Sequence, residues 1–470
     1  MIRVNGVNGA AGSYLLPPLS PAVGAALARG EQLNPEDRRQ LRRRYEAITG
    51  SFLNVVDADP TDVGQAGWGV VFAQGTDPAV REALLPLLEH RRRQAAAVQE
   101  RRYREYWGTD GYLDGESVVD FLVRHQVTPG QPANPQRMPY YLLLVGDPET
   151  IPFRFQYMLD LVYAVGRLDL DTPEEYDRYA QSLVAAERES GRRQTTFFGV
   201  RNPDDQATGL SADHLVAPLA ADVAEWLPSG SLQTVIAEQA TKAALSRLLG
   251  GPDTPALLFA AAHGLGFPNG HPRQLPHQGA LLCQDWPGPV EWRGRIPEAF
   301  YLAADDLTGE ARPWGLIVFL FACFGAGTPR TDDFARQALG APAAIAPHAF
   351  VGRLPKRLLG HQRGGALAVI GHVERAWGFS FLWPGVGEQV DAYREMLRRL
   401  LDGAPVGWAV EVMNDRFAWL SAHLDMEREA VDYGKVPDEL TLSNLWTARN
   451  DARNSIVLGD PAARLGPPIP

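Results

Sequence analysis

Cysteine is nearly absent from this sequence. Of 470 residues only Cys283 and Cys323 carry a thiol, which excludes a disulfide framework and points to a reducing compartment, the cytoplasm. No apolar run approaches the roughly 18–20 residues that a membrane span needs. The start, Met1-Ile-Arg-Val-Asn-Gly-Val-Asn-Gly9, lacks the basic opening and apolar block of a secretory signal. Basic charge is outnumbered, 45 Lys and Arg against 56 Asp and Glu, and the formal charge of −11 argues against a nucleic-acid partner for the main body. There is no P-loop, no dinucleotide fingerprint and no Gly-x-Ser-x-Gly elbow with the right flanks, so no cofactor is expected. No internal repeat is visible either.

What is present is the composition of a globular protein, 45% hydrophobic and 21% charged. The length favours two or three compact units. Residues 1–30, rich in Gly, Pro, Ala and Asn, read as an arm, and Asn34-Pro35 as a helix start. Gly67 to Ala73 is a short strand. A helix beginning near Thr76 is expected to run through Arg91-Arg92-Arg93 to Tyr106 with its basic run on an exposed face. From Pro139 onward apolar strands alternate with helical patterns: strands at 140–147, 195–200, 232–237, 256–262, 316–322, 365–371 and 455–459, with helices such as 213–227, 333–339, 388–401 and 407–424 between them. Alternation of this kind predicts an α/β fold with a mostly parallel sheet covered by helices. The expected division is 1–138, an arm and small α/β extension with a regulatory or structural role, and 139–465, the main domain.

Two segments carry the chemistry. Leu316 to Ala322 is an unbroken apolar run, as a strand buried on both faces requires, and it delivers Cys323 into the turn Phe324-Gly325-Ala326-Gly327. Ala256 to Ala262 has the same form and delivers His263-Gly264. If the two strands are parallel neighbours, both residues emerge at one sheet edge, where open α/β sheets place their sites. A cysteine nucleophile needs a base to form the thiolate and donors for the oxyanion. His263 is the candidate base, and the N–H groups of Gly264 and Cys323 are the candidate donors. Singly, a strand-end cysteine or histidine is ordinary; two such endings in one chain are not explained by packing alone. The run His263, His271, His277 and Cys283 suggests zinc at first sight, but intervals of seven, five and five residues fit no common ligand spacing, so no metal is expected.

Ala322-Cys323-Phe324-Gly325, with an upstream strand-borne His-Gly, resembles the Ala-Cys-x-Gly signature of caspase-type peptidases, although Phe321 stands where caspases have glutamine. The strand Leu143 to Asp147 with Ile151-Pro152, the segment Asp160 to Leu168 and the terminal Leu458-Gly459-Asp460-Pro461 look like the bacterial gingipain-like and CHAT-like branch of that superfamily. The resemblance covers about 139–465. It implies a caspase-hemoglobinase-like three-layer sandwich with an N-terminal α/β extension, and a cysteine endopeptidase acting through a Cys323 acyl-enzyme. His263 would be the general acid and base of a Cys–His dyad that needs no third acid. The partners it implies are a protein or peptide substrate and an activating partner for a regulated protease.

It further implies that specificity resides in the loops after the first strand and after the strand following the cysteine strand, mapped here to Asp147–Asp160 and His372–Ser380. Asp160, Glu374 and Trp377 are the pocket candidates; the first reading of Asp160 by itself is a helix or turn cap, and Trp377 reads also as core. A carboxylate-lined pocket would favour Arg or Lys, whereas one built on Arg154 or Arg375 would favour Asp. The alternative from another class is a non-hydrolytic interaction or effector scaffold on the same fold.

Overall fold

The computed structural model of the chain describes residues 20, 22, 55–189, 194–334, 343–434, 436 and 438–466. The expected arm, the helix opening at Asn34 and most of the helix expected over 333–339 lie outside the described residues. Ten strands form one sheet: β1 (Trp68–Phe72), β2 (Tyr103–Tyr106), β3 (Tyr141–Val145), β4 (Ala164–Leu168), β5 (Thr195–Gly199), β6 (Leu232–Ile236), β7 (Leu257–Ala261), β8 (Ile317–Phe321), β9 (Ala368–His372) and β10 (Ser455–Gly459). Their order across the sheet is β2-β1-β3-β4-β10-β9-β8-β7-β5-β6. Every residue of β1, β3, β4, β5, β7, β8, β9 and β10 is buried. Successive side chains of a strand point to opposite faces, so burial throughout means that both faces are covered: this is the mixed α/β, three-layer arrangement.

All neighbouring pairs are parallel except β9 with β10, which is antiparallel. The sheet is therefore two parallel halves running in opposite directions and joined at one seam. Each half is wound alike, β2-β1-β3-β4 in one and β6-β5-β7-β8 in the other, so a repeat of topology exists where none is visible in sequence. The strands on the two sides of the 138/139 boundary also hydrogen bond to each other, β1 with β3 over five residue pairs.

The helices used below are α1 (Leu85–Ala95), α2 (Phe153–Leu159), α3 (Pro173–Arg188), α4 (Gln206–Ser211), α5 (Ala217–Trp226), α6 (Asp391–Leu401), α7 (Val406–Asp432) and α8 (Glu439–Arg453). Their ends follow local chemistry. Thr172 caps α3 by accepting from Glu175 N, with Pro173 at the first helical position and Glu174 and Glu175 against the positive end of the helix. Asp438 caps α8 by accepting from Thr441 N. Among the described residues no helix is long and apolar enough to cross a membrane.

The basic run after Leu85 departs from expectation twice. The helix stops at Ala95, and Tyr103–Tyr106 is an edge strand paired with β1; residues of β-forming type next to a free strand edge win over the helical pattern. Arg91 is fully buried rather than solvated. Its Nε donates to Asp460 at 2.6 Å, its Nη2 to Glu187 at 2.7 Å and its Nη1 to Gln94 at 2.7 Å. Asp460 also accepts from Trp68 Nε1 at 2.8 Å. Through Asp460 and Glu187 one guanidinium thus ties α1, α3, β1 and the turn after β10 together.

Removing one partner of such a group leaves the others buried and unbalanced. Asp460→Ala is expected to lower the unfolding free energy by about 3–5 kcal/mol, read by denaturant titration; a loss below about 1 kcal/mol would show that this network carries little of the fold.

Candidate active site

The parallel pairing of β7 and β8 sets the site. Phe321 lies opposite Ala261, and Ala262 N donates to Phe321 O at 3.2 Å. Cys323 and His263 are each two residues beyond the Phe321–Ala261 pair, at the same edge and on neighbouring strands. The approach of the backbones is extreme at Gly264: a Cβ placed there would lie 1.8 Å from Cys323 O and 2.9 Å from Cys323 N. No side chain fits, so the His-Gly turn and the Cys turn can meet only because residue 264 is glycine.

His263 and Gly264 continue into a small antiparallel sheet with Leu281–Leu282 and Tyr301–Leu302. The Pro/Gly-rich insertion is therefore folded back to brace His263. His263 Nε2 meets Asp205 Oδ2 at 2.6 Å. Asp205 caps α4, also accepting from Thr208 Oγ1 at 2.7 Å and from Ala207 N and Thr208 N. Its loop is pinned to the insertion, since Asn202 Nδ2 donates to Cys283 O and Trp286 O at 3.1 and 3.0 Å. Burial pushes the Asp205 carboxyl up, but the bonds from His263 and Thr208 outweigh this and hold it at about 2. An ionised carboxylate only accepts, so Nε2 carries the proton and Nδ1 of a neutral His263 carries the basic lone pair. The Trp286 ring stands edge-on to the imidazole at 6.4 Å.

Cys323 is half-buried. Its Sγ accepts from Ala376 N at 3.4 Å and donates toward Ala376 O at 3.8 Å. Burial pushes the thiol up, while the Ala376 N–H and the Arg375 charge pull against it; the balance lies above the ordinary value. Among the described residues no hydrogen bond joins the sulfur to His263. The next residue, Phe324, has φ of 60°, and its N–H donates to the carbonyl of Glu374, which has φ of 79°. Two non-glycine residues in the left-handed region, bonded to each other beside a cysteine, are the kind of backbone strain that clusters at functional sites.

The expected site residues divide into those the fold gathers and those it does not. Cys323, His263 and Gly264 come together, and the segment Glu374–Ser380 forms the wall beside the sulfur. Glu374 itself is buried, its carboxylate bonded to Arg375 and to Asp333 N. Burial, with Asp332 and Asp333 nearby, pushes it up to about 7 against the pull of Arg375. Trp377 is half-buried, with its ring 4.7 Å from that of Phe334.

The loop after β3 starts far from Cys323, although its helix α2 returns, the Phe153 ring lying 2.8 Å from where a Cβ at Gly327 would stand. Because β3 runs opposite to β8 across the seam, Asp147 leaves at the other sheet edge. Asp160, back at the Cys323 edge, is enclosed in the other half and caps the turn into β4: Oδ1 accepts from Val165 N at 2.9 Å. Burial pushes this carboxyl up to about 8, which suits a turn cap and not a solvent-facing pocket. The loop that follows β5, the first strand of the Cys323 half, carries Asp205, a residue that no sequence motif marks.

Among the described residues no group of three or more His, Cys, Asp or Glu could hold a metal ion. His277 bonds instead to the Tyr301 hydroxyl through Nδ1 at 2.6 Å, and the Cys283 thiol, fully buried, donates to Leu281 O.

No protein-family model and no curated protein sequence matches the chain. Solved structures do. The chain is similar to the Arg-specific cysteine proteinase gingipain R, with 12% identity over 85% of this chain and 78% of that one and a TM-score of 0.50. The complex of Porphyromonas gingivalis RgpB pro- and mature domains matches at 13% identity over 85% of this chain and 80% of that one, TM-score 0.48. At such identity the likeness to gingipain R speaks for the fold: the chain has the caspase-like fold of that cysteine proteinase.

Two outcomes follow from the geometry. Gly264→Ala, which forces the two strand ends apart, is expected to cost about 1–3 kcal/mol of stability and to change the alkylation rate of Cys323 in the folded protein; a rate equal to wild type would mean that the contact is not required. Because the Asp205 carboxyl is held below its ordinary value, its stabilising contribution is fully present above about pH 4 and is lost as pH falls toward 2. The stability gap between wild type and Asp205→Ala should narrow over that window in denaturant titrations.

Proposed function

We propose that the chain is a cysteine endopeptidase in which Cys323 is the nucleophile and His263, oriented by Asp205, is the general acid and base. The observation that supports it most directly is the convergence of three chain segments on one sheet edge: the β8 end with its thiol, the β7 end with its imidazole, and the cap of α4 with an ionised carboxylate bonded to Nε2. A peptide carbonyl entering between the two strand ends meets the sulfur from one side. As Sγ attacks the carbonyl carbon, the thiol proton passes to His263 Nδ1. The N–H groups of Cys323 and Gly264 are the donors for the oxyanion, while Phe324 N–H is occupied by Glu374 O. Collapse of the adduct breaks the C–N bond, His263 protonates the leaving amine, and a thioester remains on Cys323. Water, deprotonated by His263, then releases the acid and restores the thiol.

A thiol raised by burial and not bonded to its base in the free protein fits this scheme, in which proton transfer accompanies attack. We further propose a preference for a basic residue before the cut. Arg375 is the cation whose charge reaches the thiol, and both its Nη atoms are engaged, by Asp332 and Glu374. It is poorly placed to receive a substrate carboxylate, and the three carboxylates Asp332, Asp333 and Glu374 outnumber the two arginines paired with them, Arg375 and Arg453.

The test is turnover of fluorogenic peptides with Arg, Lys, Asp or Asn at the cleavage position. Wild type is expected to cleave after Arg or Lys. Cys323→Ala and His263→Ala should abolish turnover, and Asp205→Ala should lower kcat about 10–100-fold, as loss of an orienting partner does. Full activity of either dyad variant would overturn the assignment. Turnover of the Asp peptide alone would overturn the basic preference and leave the mechanism standing.

A further inference from the structure

We infer that Asp451 is a positioning residue: from the C-terminal turn of α8 it holds the segment Ala376–Ser380, and through Ala376 it holds the Cys323 sulfur. This rests on the peptidase reading only for its effect on hydrolysis, since the position of the thiol can be measured without a substrate.

Asp451 is 1% exposed. Its Oδ1 accepts from Trp377 N at 2.8 Å, and its Oδ2 accepts from the Ser380 hydroxyl. The residue before Trp377 is Ala376, whose N–H donates to Cys323 Sγ and whose carbonyl faces it. The path from carboxylate to sulfur is one backbone residue long. One cation balances the burial from a distance: Arg416 Nη1 lies 3.7 Å from Oδ2, while Arg416 Nη2 donates to Phe379 O in the same wall; the His372 imidazole stands nearby, its Nε2 3.8 Å from Oδ1. His372 is fully buried, and burial lowers its affinity for a proton, so it offers little charge of its own.

Local rules do not explain an aspartate here. The last turn of a helix is the negative end of its dipole, where a carboxylate is unfavourable. Its charge also disfavours the Cys323 thiolate. A residue that opposes both its own helix and the nucleophile's ionisation is accounted for by what it does hold, the two donors of the wall. Places where a local preference is overridden by a nonlocal demand are typically functional.

These opposing effects give a test in which the signs differ. The readout is the rate at which iodoacetamide modifies Cys323 at neutral pH in the full-length protein, with buried Cys283 as internal reference and near-ultraviolet circular dichroism as the check on folding. Asp451→Asn keeps an acceptor for Trp377 N–H and removes the charge, so its rate is expected to equal or exceed wild type. Asp451→Ala also removes the charge but leaves the wall donors unpaired. Its rate is expected to fall about tenfold, the equivalent of one lost hydrogen bond to the sulfur. Ser380→Ala, which removes one of the two tethers, should slow modification a few-fold.

Equal acceleration in the Asn and Ala variants would show that only charge matters and would overturn the inference, as would wild-type rates in all three folded proteins. If the Ala variant does not fold, slow Ser380→Ala beside fast Asp451→Asn decides in favour, and the reverse order decides against. A wild type silent toward every peptide would sink the peptidase reading and leave this alkylation pattern to be judged on its own.

Discussion

The contact of Gly264 with the backbone of Cys323 is the constraint on which the site depends. Parallel strands deliver side chains to an edge, but their ends normally splay into separate loops. Here the register of β7 and β8 carries two residues past the last pair and the absent Cβ lets the turns touch. Everything else at the edge is arranged around that contact. The insertion folds into a small sheet that fixes His263 from one side, the α4 cap fixes it from another, and the wall after β9 closes on the sulfur. The thiol and the imidazole are placed by backbone geometry, and among the described residues no hydrogen bond joins them.

A site placed this way needs a rigid frame. The central strands supply it through apolar burial, with Phe259 stacked on Phe319 across β7 and β8 at 5.0 Å and Tyr393 edge-on to both. Each such side chain contributes about 1.5–3 kcal/mol on burial. The other half of the sheet, equally buried, is fastened by charge as well, through Arg91 with Asp460 and Glu187 and through Arg167, which is buried and donates to the carbonyls of Gly146 and Ile151. Apolar strands adapt to neighbours of any similar shape, whereas these guanidinium contacts specify particular carbonyls and carboxylates, and so fix which strand adjoins which.

Much of this was legible in the sequence because it is local. Seven-residue apolar runs ending in His-Gly and Ala-Cys gave the two central strands and the two residues at their ends, and the βα alternation gave the fold class. Asp205 was not legible: Asn202-Pro203-Asp204-Asp205 reads as an ordinary turn, and the only signal was Asp205 preceding Thr208 by three at a helix start. Its neighbour His263 is 58 residues away. The placing of Asp147 and Asp160 depended on strand direction, and that direction is set by β10 entering antiparallel to β9, a choice made by tertiary packing and invisible to periodicity. Arg91 was hidden for a related reason, since nothing in Arg91-Arg92-Arg93 marks which of three adjacent arginines faces inward toward Asp460, 369 positions later.

The seam has a consequence for biosynthesis. β10 is the last in sequence of the described strands, yet it lies in the middle of the sheet, between β4 and β9. While the chain is still emerging from the ribosome, both halves carry an open inner edge, and β9, which leads into the wall beside Cys323, has a partner on one side only. Closure waits for Ser455–Gly459 and draws together segments separated by hundreds of residues, a slow step by contact order. A chain synthesised only as far as β9 therefore holds Cys323 and His263 before it holds the frame that aligns them, and the edge is whole only once β10 has joined.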